Sequence, residues 1–182
     1  MLDPVPMGDG AWICGLLAMA GLIAWPAFQS RSTMLTIQFG ALTLLVLHYA
    51  LIGVVTAAVM NALGATQIAV CLFLGTRPRL QWIGYALAVV MVAASIATWQ
   101  GLVSALATAG MVLVAVGRVQ TNVNLFRVIV LAGGPFWLAH DLLIASPVAA
   151  ADALSLVIGL GALARQRLRP MPMAAKRLVS SP

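Results

Sequence analysis

Four residues of this chain set a polar or ionisable side chain in an apolar surrounding: His48, Asn61, His140 and Asp152. Such groups are costly inside a bilayer and call for a functional explanation. Histidine titrates near neutral pH, so together with the Asp152 carboxylate the set could bind a polar solute or relay protons. These four are the candidate substrate-binding residues. The same side chains could equally be interhelical hydrogen bonds that fasten helices to one another. Gln38 and Arg127 form a second, weaker pair that could gate a path from the opposite end, although an Arg127 side chain reaching out to the interface explains its position too. Asp141, beside His140, reads as a solvated carboxylate at a helix end.

Other chemistries find less support. Paired histidines on two helices could hold a haem, but no further haem-pocket feature accompanies them, and no cofactor is expected. Cys14 and Cys71 have neither the placement for a disulfide nor the partner ligands for zinc. Ser146 and Ser155 lack a Gly-rich nucleophile elbow, and there is no phosphate-binding loop or zinc-protease histidine pair, so an enzyme is not expected.

The elements that position these residues follow from composition. Of 182 residues 63% are apolar and 8% charged, against roughly 25% charged in a soluble domain. A domain of this size cannot hide so much apolar surface in one aqueous core, so the excess faces lipid. Spanning structures must satisfy their own backbone, and continuous apolar runs select helices over alternating barrel strands. Asp3 and Asp9 precede the first basic residue, Arg31, the reverse of a secretory signal, and the first apolar stretch is expected to be a mature helix.

Charge spacing gives the number of crossings. A crossing takes about 20 residues, and the intervals Asp9 to Arg31, Arg31 to Arg77, Arg79 to Arg118 and Arg118 to Arg165 enclose 21, 45, 38 and 46 residues. These fit one, two, two and two helices, at 11–29, 33–53, 54–75, 82–99, 101–117, 122–144 and 147–164. Every basic loop is then an even number of crossings from the next, so all ten Lys and Arg residues fall on one side. The positive-inside rule makes that side the cytoplasm, with the N-terminus outside. Residues 1–168 form the membrane domain and 169–182 a disordered basic tail suited to anionic lipid. The net charge of +6 lies in short loops and that tail, so nucleic acid is not expected as a partner. Membrane lipids are, a polar small molecule is the candidate ligand, and a homodimer is an open option.

The chain also repeats itself. His48-Tyr-Ala-Leu-Ile-Gly-Val-Val-Thr-Ala-Ala58 overlays His140-Asp-Leu-Leu-Ile-Ala-Ser-Pro-Val-Ala-Ala150 with five identities in eleven and aligns the only two histidines. Ala18–Gly21 overlays Ala107–Gly110 at an offset of 89 rather than 92, which calls for a three-residue insertion near Gly133-Gly134-Pro135. Two three-helix repeats, 11–75 and 101–164, joined by a linker helix at 82–99 would run parallel across the membrane, with a site between them. The fold class is therefore all-α integral membrane, seven transmembrane helices in a 3+1+3 order. On this scale the four polar residues share one layer, about 6–11 Å below the outer helix ends.

The stretch Leu44–Leu63, LLVLHYALIGVVTAAVMNAL, and its later counterpart Trp137–Leu154, WLAHDLLIASPVAAADAL, resemble the YgjV-type bacterial inner membrane proteins over roughly residues 11–168. The resemblance implies a small multi-span inner membrane protein, distantly similar in plan to SWEET and PQ-loop transporters. It implies no established activity and no catalytic residues. Pro26 has no counterpart in the fifth span, so the PQ-loop hinge does not carry over to both halves.

Overall fold

The computed structural model describes residues 8–73, 77 and 81–168. Among these residues seven helices follow in order: α1 (Asp9–Ala24), α2 (Arg31–Leu51), α3 (Val55–Phe73), α4 (Gln81–Ala97), α5 (Leu102–Val119), α6 (Val123–Leu143) and α7 (Val148–Leu168). The described residues contain no strand. Six helices are long and apolar enough to cross a bilayer, and α4, also apolar, is shorter at 17 residues. The seven expected spans thus appear in the expected order. The basic tail beyond residue 168 lies outside the described residues.

Local chemistry sets the boundaries. Pro26 fits the first turn of a 3₁₀ segment, Trp25–Ala27, that closes the first span. The Ser30 hydroxyl accepts from the Thr33 amide at 3.4 Å, and the Asn122 side-chain oxygen accepts from the Asn124 and Leu125 amides at 2.9 and 3.1 Å. These caps open α2 and α6 by satisfying amides that a helix start leaves free.

The turns closing α2 and α6 have the same geometry. The Val54 amide donates to the Tyr49 carbonyl at 2.9 Å, and the Ser146 amide donates to the Asp141 carbonyl at 2.9 Å. Each turn passes through one left-handed residue, Gly53 at φ 76° and Ala145 at φ 52°. Caps, helix limits and turns of α2 and α6 are all offset by 92 positions, and both helices have 21 residues. The expected insertion at Gly133–Pro135 is therefore absent. Pro135 lies inside an uninterrupted α6 of the same length as α2, and the Ala18 and Ala107 matches reflect composition.

Neighbours in sequence pack as neighbours in space, and α7 returns against α1. The helices α1, α2, α3, α5, α6 and α7 form a closed ring. α4 sits outside it against α3 and α5, through the face carrying Gly84, Ala88, Met91 and Ser95. Its other faces carry Trp82, Val89 and Ile96, all exposed, as lipid-facing residues are. The tightest crossing is α5 on α6: a Cβ on Gly133 would lie 2.8 Å from the Gly110 carbonyl oxygen. Small residues that let backbones meet are the usual means of helix association in lipid.

Arg31, at the start of α2, donates to the carbonyls of Gln120 and Arg118 at 2.9 and 2.6 Å. This ties the α2 start to the α5 end. With alternating helix directions, Arg31, Arg77, Arg118, Arg127 and Arg165 all belong to one end of the bundle, as the charge spacing requires.

Candidate functional site

The ring encloses a chamber with about 80 Å³ of room for water-sized occupants. A cavity of about 10–15 Å³ on this measure admits one water, so several waters or a small solute fit. The walls are mostly apolar, including Trp25, Leu42, Met111 and Trp137, and into them project Gln38, Tyr49, Asn61, Arg118, Asp141 and Asp152.

The acidic side of the chamber is built from the α2 and α6 ends and the α7 start. Asp141 is fully buried, 0% exposed. Its Oδ1 accepts from the Tyr49 hydroxyl at 2.6 Å and from His140 Nδ1 at 3.1 Å, while Oδ2 has no partner among the described residues. The Asp152 carboxyl faces that of Asp141, and its Oδ2 is likewise unpartnered. The Tyr49, Trp137 and His140 rings pack around this group with centroids 5.3 to 6.4 Å apart, fixing the rotamers of the two groups that hold Asp141.

The basic side belongs to Arg118. It stands in the last turn of α5, yet it is 2% exposed. Its Nε donates to Gln38 Oε1 at 3.1 Å, and Nη1 lies 3.6 Å from Met111 Sδ, two turns back along α5. A Cβ on Gly64 would stand 3.0 Å from Nη1, and Gly64 is the central residue of α3. The guanidinium therefore sits near the middle of the bundle, in space that the missing side chain leaves. Among the described residues the only carboxylate-to-cation contact is His140 with Asp141, so Arg118 has no acidic partner there.

Of the four candidate residues, Asn61 and Asp152 line the chamber. His48 and His140 occupy the same layer but stand behind its wall. His48 donates through Nδ1 to the Ala11 carbonyl at 2.9 Å and accepts through Nε2 from the Ser146 hydroxyl at 3.4 Å, fastening α1 to the α6–α7 turn. His140 orients Asp141. The expectation of a solvated Asp141 is overturned, because Tyr49 of α2 covers it at the helix end. The gate pair also separates. Gln38 faces the chamber, whereas Arg127 donates to the Phe28 carbonyl and lines a different groove with Gln29, Arg165 and Gln166. Arg127 is buried, with its guanidinium on the loop between α1 and α2.

Sequence reasoning missed Tyr49 and Arg118. The signal for Arg118 is directional: helical side chains lean toward the N-terminus, so a long cation in the last turn of a span has its head group inside. Tyr49 follows His48 as Asp141 follows His140, 92 positions on, and the two side chains are hydrogen-bonded.

The match to known proteins is now informative. The family model of the YgjV-type bacterial inner membrane proteins matches residues 11–169. The chain belongs to that family. It is accordingly a multi-pass inner membrane protein in contact with lipid. Neither a curated protein nor a solved structure matches it.

A second polar seam is structural. Gln67 Nε2 donates to the carbonyls of Gly84 and Ala115 at 2.9 and 3.1 Å, joining α3, α4 and α5. The Thr56 hydroxyl bonds the Thr98 carbonyl and the Ser104 hydroxyl, and Ser95 bonds Thr108. These bonds dock α4 on the ring.

Proposed function

We propose that this protein is a small-solute transporter or facilitator, with its N-terminus outside, its C-terminus in the cytoplasm and its site in the chamber between α1–α3 and α5–α7. One observation carries the reading: Asp141 and Gln38 are buried in the chamber wall and each keeps a polar atom that no described residue satisfies, and Arg118 is buried beside them without a carboxylate partner among the described residues. Buried polar groups in a purely structural core are normally paired, and intramembrane charges mark solute or ion paths. The common offset of α2 and α6, together with their similar turns, supports a duplicated architecture, in which a site between the repeats is the expected arrangement.

The test is cysteine accessibility. In a background with Cys14 and Cys71 replaced by serine, single cysteines at 61 and 152 are expected to react with a small water-soluble thiol reagent from at least one side of the membrane. Failure of both to react in a folded protein would remove the transport reading. A second reading, a non-transport membrane component with polar ties between helices, is favoured by His48 and Gln67, whose bonds join separate elements. It predicts that neither position reacts.

A further inference from the structure

Opposite charges share this chamber without pairing. Asp141 and Asp152 are presented from the ends of α6 and α7, and the Arg118 guanidinium is presented at the level of Gly64. Asp152 is the fifth residue of α7 and Gly64 the tenth of α3. Both helices start from the same end, so at 1.5 Å per residue the two groups differ in depth by about 7 Å. A buried ion without a partner costs several kcal/mol, on the order of the loss when one member of a buried pair is removed. The two carboxyls facing one another also need a proton or a cationic group between them. Each side of the chamber therefore lacks the charge that the other side cannot reach across to supply.

Resting on the transport reading above, we infer that the solute is a small zwitterion: a carboxylate held by Arg118 beside Gln38, and an ammonium held by the facing Asp141 and Asp152 carboxyl groups in place of the proton between them, Gln38 Nε2 and both Oδ2 atoms having no partner among the described residues. Charge-assisted hydrogen bonds of about 2.8 Å would hold each end. Glycine, alanine and β-alanine have this form. The aromatic wall of Tyr49 and Trp137 stands beside the ammonium side, where a cation gains from ring faces.

The experiment is competition binding on the full chain in nanodiscs with radiolabelled glycine and alanine, using acetate, ethylamine and glycerol as competitors. Saturable binding is expected, with each competitor weaker than the unlabelled amino acid by at least about ten-fold, the value of one charge-assisted bond. Arg118→Gln should make ethylamine as good a competitor as glycine. Asp152→Asn should raise acetate relative to ethylamine. These opposite shifts in charge preference are not produced by a general loss of stability. Should Arg118→Gln fail to fold, Gly64→Ser, which crowds the guanidinium, serves in its place and should weaken acetate more than ethylamine. Glycerol competing as well as glycine would overturn the inference, as would folded variants with unchanged preference. Absence of binding by any probe while cysteines at 61 and 152 react would overturn the zwitterion and leave the transport reading standing. Absence of both would remove the two together.

Discussion

The Tyr49 hydroxyl of α2 bonds the Asp141 carboxylate of α6, and the bond is fully buried. Replacing Tyr49 by Phe removes the donor and keeps the ring, leaving Asp141 with His140 alone. A loss of about 1–3 kcal/mol, the usual cost of an orphaned buried acceptor, is expected in reversible unfolding in mixed micelles. His48→Ala should cost a similar amount by freeing the Ala11 carbonyl and the Ser146 hydroxyl, without changing solute competition, since His48 stands outside the chamber. Two histidines were conspicuous in the sequence because they are the only two, but the structure sets both behind the chamber wall. The residues that reach the chamber, Tyr49, Asp141 and Arg118, were harder to read. Helix-end position suggests solvent, whereas their side chains turn inward under the cover of the opposite half or of Arg31.

At the scale of elements, the α2–α3 and α6–α7 turns use the same left-handed position, filled by glycine in one and alanine in the other. An L-residue there costs roughly 1–2 kcal/mol. Ala145→Gly should therefore stabilise the protein and Gly53→Ala should destabilise it, each by about 1 kcal/mol, measured in the same unfolding assay. Opposite signs at two sites of one geometry are the informative result. Helix number and limits were legible because charges punctuate the apolar runs and a bilayer fixes their length. Helix α4 shows why packing was less so: its inward face is only Gly84, Ala88, Met91 and Ser95, and in a segment apolar all round, periodicity alone does not separate the lipid side from the protein side. Gln67→Leu should loosen this helix by about 0.6–1.7 kcal/mol, the range for interhelical bonds in membranes, and increase hydrogen exchange of α4 amides ahead of the ring helices.

For the whole molecule, the parity of crossings is the strongest constraint. Arg31 bonded to the backbone at Arg118 and Gln120 joins two basic loops at one end, and the order of the helices carries Arg77 and Arg165 to the same end. Fusions of a cytoplasm-active reporter after Arg31, Arg77 and Arg118 should all be active, and a fusion in the Gly53 turn inactive. A mixed result among the three basic loops would contradict the topology. The inner membrane location was legible from composition and from two short stretches around the histidines. The chamber was not, since its volume depends on Gly64 and on the ring closure of α7 against α1, neither of which leaves a pattern along the chain.

The outlying helix has one more effect. At 17 residues α4 extends about 26 Å, below the ~30 Å of an average hydrocarbon layer, and its end tryptophans, Trp82 and Trp99, both face outward. On that flank a bilayer matched to the two indole rings is thinner than average, while α2 and α6, at 21 residues each, span the full layer. The protein should thus sit in an asymmetric annulus, resist heating better among short acyl chains than long ones, and settle preferentially where the bilayer is already shallow.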